Sequence, residues 1–263
     1  MPIPEAGYPR AAAVSPRVQV VETTDSTNAD AVAAVVAEPA LWPHLSLLLT
    51  TDQRAGRGRL DRSWTTPPGT ALAVSVVLDV STVPIEARGW IPLVAGAAMT
   101  RAVRRQLKGR GASTADLKWP NDVLVDGGKI CGILAEAVPG DLTTVVVGAG
   151  VNTRMTRADL PVSTAISFAA LGYDCDDDRL LADYLGELSS LVAALGEGPR
   201  GVERVHRDVE DLCATVGTPV EVSLPDGTAL SGSAVRLDET GRLVVASGTV
   251  ETTVSAGDVV HVR

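Results

Sequence analysis

Between Asp116 and Ala137 the chain threads charged residues through a strongly β-forming run, DLKWPNDVLVDGGKICGILAEA. Asp and Lys are disfavoured inside strands, so charges at these positions need a reason. The pattern predicts a short strand from Asp116 to Trp119 stopped by Pro120, then strands from Asp122 to Val125 and Lys129 to Ala135. Asp126, Gly127 and Gly128 supply the positive φ of a tight hairpin between them. Such a hairpin brings Lys118, Asn121, Asp122 and Lys129 to one mouth, and Gly132 leaves room for a ligand or another backbone to approach. Taken alone, these charges fit a solvated strand edge equally well.

Upstream residues tip the balance. After a strand over Ser46 to Thr51, the loop that begins at Asp52 carries Arg54, Arg57, Arg59 and Arg62 within nine residues, interleaved with Gly56 and Gly58. Guanidinium groups match carboxylate and phosphate oxygens bidentately, and glycines make the backbone pliable. The loop therefore reads as an anion-binding flap that is mobile without ligand. Trp64 closes it and is open to two readings, stacking on a base or burial in the core. Earlier, Asp25, Ser26, Thr27 and Asn28 precede the helix-prone run ADAVAAVVAE. They offer more polar groups than one N-cap consumes, and the surplus can hold a small polar ligand. Downstream, the strand from Thr143 to Val147 leads into GAGVN, Gly148 to Asn152. Neither a Rossmann fingerprint nor a P-loop is completed there, and Asn152 fits an adenine or phosphate contact and a simple turn alike.

A chain of 263 residues, 45% hydrophobic, can bury one large core plus a small appended unit. A net charge of −9 excludes nucleic-acid binding through the overall field. Three widely spaced cysteines, Cys131, Cys175 and Cys213, make neither a disulfide framework nor a zinc site. No apolar run approaches the ~18 residues that span a bilayer, and no export signal is present, so a cytoplasmic location is expected. Residues 1–16 read as a loosely held tail. Helices are expected over Ile91 to Leu107, with Arg101, Arg104 and Arg105 on a solvated face, over Cys175 to Leu195, and over Val202 to Cys213. From Thr218 onward five short β-rich runs with regular turns, one at Pro225 to Gly227, suggest a small barrel, with a domain boundary near Val216.

Four segments in this order and spacing, DSTN, QRAGRGR at Gln53 to Arg59, KWPNDVLV followed by GGKICGILAE, and GAGVN, together resemble the biotin protein ligases of the bacterial type. The resemblance runs from about Val18 to the C-terminus. It implies an α+β fold: a catalytic domain over 17–215, a mixed β-sheet flanked by helices as in class II synthetases, and an SH3-like β-barrel over 216–263. It implies two steps, formation of biotinyl-5′-AMP from biotin and MgATP, then transfer of biotin to a lysine of a carboxylase carrier domain.

Carried over onto this sequence, Ser26, Thr27, Asn28 and Gln53 line the biotin site. Arg57, Gly58 and Arg59 close over biotin and adenylate, and Gly132 lets biotin lie against its strand. Lys129 contacts the biotin carboxyl and the α-phosphate, Lys118 and Asn121 face the nucleotide, Trp64 and Asn152 meet the adenine, and Asp122 orients the incoming lysine. Metal ligands are not specified. Two departures stand out. No helix-turn-helix region precedes the catalytic pattern, so no DNA binding is expected, and Asp61 places an acid inside the phosphate-facing loop. A monomer or weak homodimer is expected. The alternatives are a lipoate ligase or octanoyl transferase, for which Cys131 would have to be reactive among apolar neighbours that disfavour a thiolate, and a non-catalytic biotin-responsive binding protein.

Overall fold

The computed structural model describes residues 7–60, 62–109, 113–224, 227–255 and 257–262. Strands follow the apolar runs: β1 (Val18–Val20), β2 (Leu47–Thr50), β3 (Gly56–Arg57), β4 (Ser63–Trp64), β5 (Ala71–Asp79), β6 (Ala115–Lys118), β7 (Asp122–Val125), β8 (Gly128–Val138) and β9 (Asp141–Asn152). All but β3 and β4 form one seven-stranded sheet in the order β1-β2-β5-β9-β8-β7-β6. Only the β1–β2 pair is parallel, so the sheet is mixed, as expected. The β7–β8 hairpin turns through Asp126 (φ 49°) and Gly127 (φ 82°), the left-handed pair the sequence predicts for a type I′ turn.

Strand β5 has no polar face because both of its faces are covered. Leu72, Val74, Val76 and Leu78 enter the larger core, under α3 (Ile91–Leu107) and α4 (Asp177–Leu195). Val77 enters a smaller one with Ala31 and Val35 of α2 (Thr27–Ala37). The second face is only partly covered by α2, and the remaining area holds the pocket described below.

Two expectations are corrected. Within the supposed tail, Pro9–Ala12 form a short helix, α1, with Tyr8 and Ala11 buried. The backbone N–H groups of Arg10 and Ala11 donate to the Asp178 carboxylate at 2.9 to 3.1 Å, so an acid at the start of α4 holds the first turn of α1. Nor do Arg101, Arg104 and Arg105 form a free solvated face. Arg101 pairs with Glu187 and Asp208, Arg105 with Glu187 and Asp183, and Arg104 with Asp116. Acids on α4 and on α5 (Pro199–Glu210) supply most of these partners.

The C-terminal runs form β10 (Pro219–Ser223), β11 (Ala229–Leu237), β12 (Leu243–Ser247), β13 (Val250–Val254) and β14 (Asp258–His261). They make one antiparallel sheet, β13-β12-β11-β10-β14; among the described residues its two outer strands do not pair, so the expected barrel is not closed. The expected turn at Pro225 and Asp226 lies outside the described residues. This sheet is tied to the first part of the chain by indoles. Trp90 Nε1 donates to Glu239 O and Trp119 Nε1 to Gly241 O, both at 3.0 Å. The outer edge of β6 is covered by the segment that follows α5, through Leu117 N to Leu212 O and Ala214 N to Leu117 O.

Candidate active site

The β7–β8 hairpin aims its lysine by a fault in register. Asp122 pairs with Gly132 and Val123 with Cys131, but Leu124 pairs with Lys129, which leaves Ile130 as an extra residue on β8. Without that bulge Lys129 would sit on the opposite face from Gly132, because strand side chains alternate. With it, Lys129 lies over the same face: a methyl group on Gly132 would stand 3.3 Å from Lys129 Nζ. The strand end is fixed from outside by Lys129 N to Thr164 O and Ile166 N to Lys129 O. Lys129 Nζ lies 2.6 Å from Asp122 Oδ1, an ion pair between two partly exposed groups.

Across the pocket stands the start of α2. Ser26, one of the four polar residues the sequence offers there, is its N-cap, accepting from Ala29 N. The surplus polar groups of this stretch are tied into the protein. Gln53 Oε1 accepts from Thr27 N at 2.8 Å and from Thr27 Oγ1 at 3.1 Å. Asn28 donates through Nδ2 to Leu134 O and to Glu136 Oε2, and the Ser75 hydroxyl stands 2.6 Å from Asn28 Oδ1 and 2.8 Å from Thr27 Oγ1. Thr27, Asn28 and Ser75 are all buried. Each polar atom of this group is therefore oriented before any ligand arrives, which is what recognition of a small polar head requires.

The Gly/Arg loop lies over the same pocket as a two-stranded ribbon, Gly56 opposite Trp64 and Arg57 opposite Ser63. Arg57 pairs with Glu136 at 2.9 Å, and Arg59 donates to Asn121 Oδ1 at 3.2 Å. Asn121 is itself clamped on β8, its Nδ2 donating to Ile133 O and its backbone carbonyl accepting from Ile133 N. Asp61 lies outside the described residues. Of the two readings the sequence left open for Trp64, burial in the core is not realised; the ring stands in the pocket lining, where the expected contact with a base stays available. Half-buried, it rests on two glycines that face each other across β8 and β9: a methyl on Gly132 would lie 3.2 Å from its ring and one on Gly150 2.5 Å. Only a residue without a side chain fits beneath that indole. Lys129 Nζ stands 5.6 Å from the ring centroid, within cation–π range.

The pocket so formed is lined by Ser26, Thr27, Asn28, Gln53, Arg57, Gly58, Arg59, Trp64, Lys118, Asn121, Asp122, Lys129 and Gly132. All the site residues proposed from the sequence thus converge, except Asn152. That side chain is buried and outside the lining; its Nδ2 is spent on Ile166 O at 2.9 Å and Lys129 O at 3.4 Å. Its Nδ2 clasps the two backbones that fix Lys129, while its Oδ1 is buried with no hydrogen-bond partner among the described residues. Cys131 is fully buried, which pushes its thiol well above the ordinary range and removes it as a nucleophile. Lys118 faces the C-terminal sheet, where burial and then the Lys118 charge lower the pKa of His261.

Three residues that shape the pocket were not singled out in the sequence. Ser75 is the lone hydroxyl in an apolar strand buried on both faces, which is a signal in itself. Gly150, within GAGVN, carries the indole. Glu136 sits behind the wall, and its only sequence signal is its phase on β8, even-numbered like Gly132 and Leu134.

The arrangement offers an uncharged hydrogen-bonding end at Thr27 and Gln53 and a cationic end at Lys118, Lys129, Arg57 and Arg59. It suits a ligand with a polar head and a tail that becomes linked to a phosphate. Comparison with known proteins agrees. Residues 20–152 match the model of the Biotin/lipoate A/B protein ligase family, and residues 215–262 that of the Biotin protein ligase C terminal domain. A biotin--[acetyl-CoA-carboxylase] ligase of Mycobacterium tuberculosis is 36% identical over 249 residues, covering 94% of this chain and 90% of the relative. The enzyme of that name from Paracoccus denitrificans is 32% identical, covering 86% and 97%. Among solved structures, a biotin protein ligase from Aquifex aeolicus in complex with biotin and ATP superposes with a TM-score of 0.75 at 23% identity, covering 94% of this chain and 99% of that one. The chain belongs to the biotin/lipoate A/B protein ligase family, as a biotin protein ligase.

Proposed function

We propose that this protein joins biotin to a carrier-domain lysine of acetyl-CoA carboxylase at the expense of ATP, and that the pocket residues named above carry the reaction. The observation that carries this assignment is the bulge at Ile130, which puts the Lys129 ammonium on the pocket face opposite the Thr27 and Gln53 pair. Thr27 and Gln53, with Ser26 and Asn28, orient the polar head of biotin, so that its carboxylate reaches Lys129. In the first step a carboxylate oxygen attacks the α-phosphorus of ATP and pyrophosphate leaves. Two anions must meet, so Lys129, Lys118, Arg57 and Arg59 lower the barrier by placing positive charge where they converge. In the second step the lysine amine attacks the acyl carbon of the mixed anhydride, AMP leaves, and the amine proton is lost. Asp122, released from Lys129 once that lysine engages the anion, is placed to hold the incoming ammonium.

The residues fit the magnesium that the nucleotide brings. Among the described residues no cluster of three His, Cys, Asp or Glu side chains forms a self-sufficient metal site. Asp122, the one carboxylate in the described lining, is paired with Lys129, so Mg²⁺ would be held chiefly by the nucleotide's own phosphate oxygens and water, as is common for this ion. Its contribution is to neutralise phosphate charge.

The proposed setting is cytoplasmic: Cys131, Cys175 and Cys213 are free thiols, and no helix among the described residues is long and apolar enough to cross a membrane. The net charge of −9 supports a function without DNA, and a monomer or weak homodimer is proposed. The test is incubation of the protein with MgATP, a recombinant carrier domain, and either biotin or lipoate. Intact mass should show one biotinyl group on the carrier; modification by lipoate alone would overturn the assignment.

A further inference from the structure

Glu136 lies outside the pocket lining, yet two of the lining residues are held by one of its oxygens. Oε2 accepts from Asn28 Nδ2 at 2.8 Å and from Arg57 NH2 at 2.9 Å. Asn28 belongs to the pocket floor: it is buried, lies against Gly148 closely enough that a methyl there would stand 2.4 Å from Oδ1, and meets Ser75 behind. Arg57 belongs to the ribbon that lies over the pocket. A continuous set of hydrogen bonds thus runs from Gln53 through Thr27, Ser75, Asn28 and Glu136 to Arg57.

We propose that Glu136 is a positioning residue of the biotin half-site, one carboxylate oxygen tying the floor of the pocket at Asn28 to the covering ribbon at Arg57. The physical argument is charge and geometry together. Asn28 has a single side-chain NH₂ group, and turning it would break its bonds to Leu134 O and Glu136 at once. A carboxylate oxygen can accept from both donors, and a charge-assisted bond to a guanidinium is stronger than a neutral one. Arg57 and Glu136 are partly exposed, at 48% and 27%, so the ion pair by itself adds little to the stability of the fold. Its effect falls on where the Arg57 guanidinium stands. A neutral amide at 136 still accepts from Asn28 but no longer attracts Arg57, so the floor stays built while the ribbon loses its anchor.

This inference rests on the biotin ligase reading, and the experiment separates the two. Biotin-dependent exchange of labelled pyrophosphate into ATP is measured for the wild type first; no exchange with biotin overturns the functional reading itself. Given exchange, Glu136→Gln is expected to raise KM for biotin about tenfold, the effect of losing one charged hydrogen bond, with KM for ATP and the melting temperature little changed. In an Arg57→Ala background the same substitution is expected to add nothing, since its partner is gone. Glu136→Ala, which also releases Asn28, is expected to raise KM for biotin further. An unchanged KM for biotin in a folded Glu136→Gln protein, equal rises for both substrates, or an undiminished effect in the Arg57→Ala background would each overturn the positioning role while leaving the ligase assignment intact.

Discussion

Lys129 and Asp122 face each other across the β7–β8 hairpin with 2.6 Å between Nζ and Oδ1, inside the pocket that must receive an anion. Each is the other's partner only until substrate competes. Lys129→Gln should lower biotin-dependent pyrophosphate exchange about a hundredfold, equivalent to ~3 kcal/mol of lost transition-state stabilisation. Asp122→Asn should leave exchange largely intact and slow transfer to the carrier instead. Rapid-quench separation of the two half-reactions checks both; near-normal exchange by folded Lys129→Gln protein would remove Lys129 from the first step.

The indole of Trp64 on Gly150 yields a steric prediction. A methyl at 150 would lie 2.5 Å from the ring, so Gly150→Ala must displace the indole from its bed. Adenylation should fall at least tenfold with little loss of stability, because a half-buried indole can move into solvent at modest cost. Trp42 and Trp90 lie outside the pocket lining and Trp119, though within it, is only 2% exposed, which leaves the half-buried Trp64 as the indole best placed to report on ligand. Biotin should change the tryptophan emission of the wild type much more than that of Trp64→Phe.

Arg59 reaches from the ribbon to Asn121 beside the catalytic hairpin. Arg59→Gly should still form the adenylate but release it into solvent, so that bystander lysines are labelled along with the carrier. Streptavidin blots of mixed-protein reactions read this directly. Strictly carrier-directed labelling by the variant would show that the ribbon does not retain the adenylate.

Stability should fall on mild acidification. His44 and His261 both have lowered pKa values, each chiefly through burial, with Lys118 adding to the effect at His261. The unfolded chain therefore binds protons first as pH drops, and the stability present above the ordinary histidine pKa of about 6.5 is lost as pH falls through the lower folded values. Urea midpoints measured from about pH 7.5 down to 5 should decline, and less steeply for His261→Asn.

Much of this site was legible because its chemistry is concentrated in contiguous segments. The hairpin strands, the Asp126–Gly127 turn, a polar cap within Asp25 to Asn28 and the α3 helix follow from local pattern, and the charged pocket residues stand out against apolar runs. What local pattern does not carry is register. The extra residue at Ile130 that turns Lys129 inward depends on which neighbour β8 finds, and neither strand announces it. The same holds for Glu136, whose two partners lie 108 and 79 residues away in sequence. The surroundings of Asn152 were hidden for a related reason: its Nδ2 donates to backbone carbonyls of Lys129 and Ile166, brought to it by tertiary folding.

The two indole bonds to the C-terminal sheet have a practical consequence for anyone wishing to trim the molecule. Trp90 and Trp119 are buried almost completely, and their N–H groups end on carbonyls of Glu239 and Gly241, 149 and 122 positions further along the chain. A fragment stopped near Val216 would lose both acceptors and bare the apolar rings beside them to water, at a cost of about 1.5–3 kcal/mol for each large side chain exposed. Against a typical domain stability of about 5–15 kcal/mol, that is a large share. The smallest usable labelling reagent built on this scaffold is therefore the pair of sheets together, with the second acting as an internal chaperone surface for the first.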